Sequence, residues 1–117
     1  MKIERFEDLI AWQKGRELNR EIFKEFKSIR DFTFRDQLLR ASLSVTNNIA
    51  EGFERGSNKE LRQFLIISRG SAAEVRSMLY IAQDNNYIST ARQAELLQII
   101  NEVGRTLTGF IKKLNIR

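Results

Sequence analysis

Arginine recurs at positions 62, 69 and 76, every seventh residue. On a helix this spacing is close to two turns, so the three guanidinium groups lie along one edge, with Arg55 and Lys59 near its start. A guanidinium presents a planar set of donors that suits phosphate or carboxylate oxygens. Two uses follow. One is interhelical or intersubunit salt bridges beside an apolar seam. The other is a track for a phosphate backbone; separately, Lys112 and Lys113 make the chain end basic. Arg55, Lys59, Arg62, Arg69, Arg76, Lys112 and Lys113 are therefore the candidate nucleic-acid-binding residues. No RNA-recognition signature, helix-turn-helix or zinc knuckle accompanies them, so any such binding should be salt-sensitive and weakly selective.

A second constellation is polar: Arg40, Asn48, Glu51, Ser71 and Glu74. These residues fall on two consecutive helical segments that must run antiparallel. An unpaired buried carboxylate is strongly disfavoured, so Glu51 and Glu74 would need a partner such as Arg40 or Arg69. The structural reading is a buried network that fixes register or an oligomer interface. The catalytic reading makes Glu51 or Glu74 a general base.

Composition narrows the chemistry further. The chain has 117 residues, no cysteine and no histidine. Disulfides, thiolate chemistry, imidazole metal sites and histidine acid–base catalysis are excluded. No Asp-x-Asp cluster suggests a carboxylate metal site. The pair of glycines in Glu51-Gly52-Phe53-Glu54-Arg55-Gly56 lacks the spacing and the strand of a nucleotide-binding loop. The expectation is a protein without enzymatic activity, cofactor or small-molecule substrate. The net charge is +5, and its excess lies in the second half: residues 1–54 hold ten basic and ten acidic side chains, residues 55–117 ten and five. A basic half is either a soluble surface or a surface for RNA or DNA. The charged start shows no secretory signal and no apolar run suits a membrane span, so the cytoplasm is the default compartment.

The elements that must position these residues are helices. There is no proline. Apolar residues recur at helical spacing in four segments, about residues 8–29, 34–55, 58–84 and 90–114. Asp8 and Thr33 are candidate N-caps for the first two. Gly56 suits a left-handed C-terminal cap, and Ser57-x-x-Glu60 is a capping box. Ser89 or Thr90 caps the last helix, with Thr90-x-x-Gln93 as a second box. The segment 34–55 carries two apolar stripes and is expected to be the central helix. Segment 58–84 carries Leu61, Phe64, Leu65, Ser68, Ala72, Val75 and Leu79 on one side, and Ile66, Gly70, Ala73, Ile81 and also Ser77 on roughly the other. Partners on two sides point to self-association, with Ile66, Gly70, Ala73 and Ile81 as the candidate oligomer interface. Four amphipathic helices with short loops predict an all-α, antiparallel up-down-up-down four-helix bundle forming a single domain over residues 1–117.

Several runs carry a resemblance. Phe6-Glu7-Asp8-Leu9 with Trp12-Gln13-Lys14, Gln37 to Val45, Asn48-Ile49-Ala50-Glu51-Gly52-Phe53, and Glu60 to Leu65 with Gly70-Ser71 and Glu74 together resemble the four-helix-bundle proteins encoded in 23S rRNA intervening sequences, also called the S23 ribosomal protein family. The resemblance spans nearly the whole chain and is least distinctive in the last helix. Thr46-Asn47 departs from it, since members often carry a proline-containing pair there. The resemblance implies a homo-oligomer, a pentamer, with no established enzymatic activity. It also implies that Asn48, Glu51, Gly70, Ser71 and Glu74 lie at helix–helix contacts. More distantly, the chain is similar to the basic pentameric accessory protein of diversity-generating retroelements, which associates with a reverse transcriptase and nucleic acid. Two functions remain open: binding of RNA or another nucleic acid through a basic surface, or a protein-interaction and assembly scaffold without nucleic-acid affinity.

Overall fold

A computed structural model describes residues 2–114. After a short 3-10 turn at Phe6–Asp8, four helices follow: α1 (Ile10–Phe26), α2 (Phe32–Glu54), α3 (Asn58–Asp84) and α4 (Thr90–Lys113). They form an antiparallel up-down-up-down bundle measuring 46 × 22 × 21 Å. Each helix packs on two neighbours, in the cycle α1–α2–α3–α4–α1, and the diagonal pairs do not meet.

The boundaries follow local chemistry, with some corrections to the sequence reading. The Ser57 hydroxyl accepts from the Glu60 amide at 3.2 Å, and Gly56 adopts φ +87°, so the α2–α3 corner is built from the residues expected. Ser89 caps α4 by accepting from the Arg92 amide at 3.1 Å. Thr90 instead is the first residue of α4, and its hydroxyl accepts from Gln83 at 2.8 Å. Asp31, not Thr33, caps α2, accepting from the Phe34 amide at 3.1 Å. Asp8 is not a cap either. It closes the 3-10 turn, and α1 begins after Leu9 with no side chain on its first amides. At the far end α1 stops at Phe26, and Ile29 packs on the core from the connection.

The predicted stripes are the core. Leu18, Ile22 and Phe26 of α1, Leu38, Val45 and Ile49 of α2, Leu65, Val75 and Leu79 of α3, and Leu96, Val103 and Leu107 of α4 are all fully buried. Helix α2 has the two neighbours expected of it, but it keeps a solvent face. Leu43 is 40% exposed, and Arg40, Asn47 and Glu51 face outward. Thr46, of its second stripe, serves a close approach to α1. Val45 and Thr46 sit against Gly15, where an added Cβ would lie 2.8 Å from the Thr46 methyl. Gly52 makes the same kind of approach to α3: a Cβ there would meet the Phe64 Cβ at 2.5 Å. Both glycines incur the helix-propensity cost because a side chain would force the helices apart.

Polar groups inside the bundle are matched. Asn19 donates to the Thr46 hydroxyl at 2.9 Å and accepts from Ser42 at 2.6 Å, which locks α1 to α2. Ser68, wholly buried, donates to the Val45 carbonyl at 2.7 Å and fixes α3 against α2.

Candidate nucleic-acid interface

Helices α3 and α4 do not close against each other along their whole length. A groove of about 570 Å³ runs between them, within the size range of a ligand cleft. Its floor is shaped by small residues, Ala72 and Ala73 of α3 and Gly104 of α4. A Cβ added to Gly104 would meet no atom within 4 Å, so this glycine, unlike Gly15 and Gly52, has no packing reason within the bundle. The walls carry four cations, Arg69 and Arg76 from α3 and Arg105 and Lys112 from α4, and no carboxylate lines the space. Among the described residues none of the four has a carboxylate within 4.0 Å. Arg69 makes one long contact, Nη1 to the Thr108 hydroxyl at 3.4 Å, which reaches across the groove. The sidedness has a simple cause. Arg69 and Arg76 project from the edge of α3 facing α4, while the acidic residue nearest them on α3, Glu74, turns to α2 and accepts from Gln37 at 2.8 Å.

The remaining candidates separate from this group. Arg55 is engaged at the α2–α3 corner, 3.0 Å from Glu51 and 3.6 Å from Glu60, with its guanidinium over the Phe64 ring. The hydrogen bond to Glu51 raises its pKa further. Lys59 is exposed in the first turn of α3. Arg62 is half-buried, and its Nε is enclosed without a hydrogen-bond partner. Lys113 lies beyond the groove, on a smaller and mostly apolar depression of about 360 Å³ that includes Leu9, Ile10 and Phe110. Asn115, Ile116 and Arg117, the rest of the basic end, lie outside the described residues.

The polar constellation also divides. Ser44 and Ser71 hydroxyls are 2.7 Å apart across α2 and α3, and Asn48 donates to the Ser44 hydroxyl at 2.9 Å and its carbonyl at 2.8 Å. Asn48 and Ser71 thus share a network, with Ser44 as the link the sequence reading omitted. Glu51, Glu74 and Arg40 do not belong to it. Glu51 pairs within α2 with Arg55, Glu74 bonds Gln37, and all three are exposed. A carboxylate in water needs no buried partner, so the premise that set Arg40 or Arg69 beside them falls. Among the described residues no three of His, Cys, Asp and Glu gather as a metal site.

Residues 7–109 match the family described as 23S rRNA-intervening sequence protein. The chain belongs to this family. Its fold is that of a Bacteroides thetaiotaomicron protein of unknown function from the S23 ribosomal protein family, with a TM-score of 0.83 at 22% identity over 88% of this chain and 99% of that one. No curated protein matches. The family description thus accords with the bundle and carries no activity.

Of the groove's lining, Asn101, Gly104, Arg105, Thr108 and Gly109 escaped sequence reasoning. The signal was present: Arg105 and Lys112 repeat the seven-residue spacing of Arg69 and Arg76 on the facing helix. Also unforeseen was the clamp on the opposite side of α4. Arg92 binds Glu21 at 2.6 Å, Glu25 at 2.8 Å and Glu95 at 3.0 Å, and its side chain is 22% exposed. The Arg92 hydrogen bond lowers the Glu21 pKa, and the same contacts raise that of Arg92. The apolar candidates Ile66 and Ile81 are 38% and 44% exposed, joined by Ile67 and Tyr80, while Gly70 and Ala73 are open to solvent. Among the described residues no helix is long and apolar enough to cross a membrane.

Proposed function

We propose that this protein is a non-catalytic, cytoplasmic bundle that binds the phosphate backbone of RNA or another nucleic acid through the α3–α4 face. The observation that carries the reading is the groove with four cations and no carboxylate in its lining. Cations without internal partners keep their charge available to an anion, and counterion release then favours a polyanion over a single ion. With no aromatic side chain in the groove and no base-reading motif, binding is of the positioning kind and tolerant of sequence. A filter-binding titration against structured rRNA fragments at two salt concentrations tests it. Micromolar affinity is expected, with log K falling against log salt at a slope of about −3, for roughly four phosphates neutralised on a single-stranded segment. Absence of salt-dependent binding at micromolar protein would overturn the reading.

A second reading, self-assembly, has its own support. Ile66, Ile67, Tyr80 and Ile81 are large, exposed and on one helix. An apolar face of that kind suits a neighbouring copy of the bundle, in a ring of five on the family resemblance. Ile66→Asp combined with Ile81→Lys should lower the mass seen by light scattering to that of one chain. An unchanged mass would remove this face from any interface.

A further inference from the structure

We infer that the α3–α4 groove admits a single nucleic-acid strand and excludes a double helix, an inference that rests on the nucleic-acid reading above. The reasoning begins with the recess. The recess between α3 and α4 holds about 570 Å³. A duplex carries its phosphates on the outside of a far wider cylinder, so it can touch the rims of such a gap but cannot enter it. A single strand can. Ala72, Ala73 and Gly104 keep the floor low, and Gly104 has open space where a side chain would stand.

The charges fit a strand lying lengthwise. Arg69 and Arg76 on one wall, and Arg105 and Lys112 on the other, are each seven residues apart, about 10 Å along a helix axis. Cations on both sides of the recess flank a backbone lying in it; a duplex surface would meet one rim at a time. The floor adds Ile100 and the two alanines, apolar surface on which a sugar or base edge can rest. No ring is present for base stacking, so the preference is for strandedness and not for base identity.

The test uses the full-length protein and a fluorescent RNA of about eight nucleotides, offered single-stranded and as a duplex of the same sequence, read by anisotropy. At least about tenfold tighter binding of the single strand is expected. Gly104→Leu plugs the floor while leaving every charge in place, and the space around Gly104 gives the fold no reason to fail. It should reduce single-strand affinity about tenfold or more and leave duplex binding and the light-scattering mass unchanged. Equal affinity for strand and duplex, undiminished in Gly104→Leu, would overturn the groove inference and leave surface binding of nucleic acid standing. A changed mass would assign the groove to a subunit contact and overturn it too. No binding of either form, by the unmutated protein, would overturn both readings.

Discussion

Helix α4 borders two seams of opposite character. Toward α1 its charges are spent: Arg92 is surrounded by Glu21, Glu25 and Glu95, and Glu102 meets Lys14 at 2.9 Å. Toward α3 its charges are unspent: Arg105 and Lys112 face Arg69 and Arg76 across a groove with no carboxylate. Helix α4 thus combines a seam whose charges are paired at Arg92 and Glu102 with one whose cations have no carboxylate beside them. A cation that holds the fold together is surrounded by acids. The groove cations have no carboxylate partner in the fold, and gathering several together costs some repulsion.

The largest expected effect breaks the open side alone. Arg69→Glu with Arg105→Glu should reduce nucleic-acid affinity by about 100-fold or more, since two phosphate contacts become two repulsions. Thermal stability should change by less than about 0.5 kcal/mol, as neither side chain has an ion partner to lose. A melting temperature that falls as far as it does for a change at Arg92 would erase the distinction between the seams.

The reverse experiment is Arg92→Met. Removing the guanidinium leaves Glu21 and Glu25 facing each other one helical turn apart, both half-buried. A surface pair is worth little, but three partners on one partly enclosed arginine form a network. A loss of about 1–2 kcal/mol is expected, or roughly 4–8 °C in melting temperature for a domain of this size. Nucleic-acid binding should be untouched. Weaker binding at full folding would place Arg92 in the anion-binding surface.

Acid should reproduce part of that loss. The Arg92 hydrogen bond holds the Glu21 carboxyl below its ordinary value of 4.5. A depressed carboxylate pKa means that its contribution is complete above the ordinary value and disappears as pH falls through the folded one. Asp31, held below its ordinary 3.8 by the Tyr87 hydroxyl and the Phe34 amide, loses its contribution at lower pH than Glu21. The melting temperatures of the unmutated protein and Arg92→Met should therefore differ most at neutral pH and converge below about pH 4.5, since only the Glu21 share depends on Arg92. A constant difference down to pH 3 would show that Arg92 acts through packing alone.

How much of this could be read from the residue string differs between the two seams. The helices and their buried faces were legible because burial leaves a 3.6-residue period, and Leu65, Leu79, Val103 and Leu107 fall on it. The corner at Gly56-Ser57 was legible because a left-handed residue and a capping hydroxyl are local requirements. The cap at Thr33 was misplaced because Asp31, two residues earlier, takes the Phe34 amide, and the one at Asp8 because a 3-10 turn holds Asp8 before α1 begins. The site was legible on one wall only. Arg69 and Arg76 show their spacing on α3, but the facing of α3 to α4 is set by packing over long range, and Arg105 gained its meaning only from that register. Glu51 and Glu74 misled because the character of a carboxylate depends on whether its helix face is covered, and both faces are open.

The smallest effect concerns two glycines, and its sign is the point. Both lie inside helices, where alanine is favoured by about 1 kcal/mol. At Gly104 nothing stands within 4 Å of a new Cβ, so Gly104→Ala should gain most of that preference, about 0.5–1 kcal/mol in denaturant unfolding. At Gly15 the new Cβ would lie 2.8 Å from the Thr46 methyl, and Thr46 cannot turn freely because Asn19 holds its hydroxyl. Gly15→Ala should accordingly lose about 1 kcal/mol or more, as helices α1 and α2 separate or the hydrogen bond breaks. Opposite signs would show that one glycine serves the closed side of the bundle and the other keeps the groove open at a cost to stability. A loss at Gly104 as well would mean that α4 meets a neighbour there, and the groove would then be a seam between subunits.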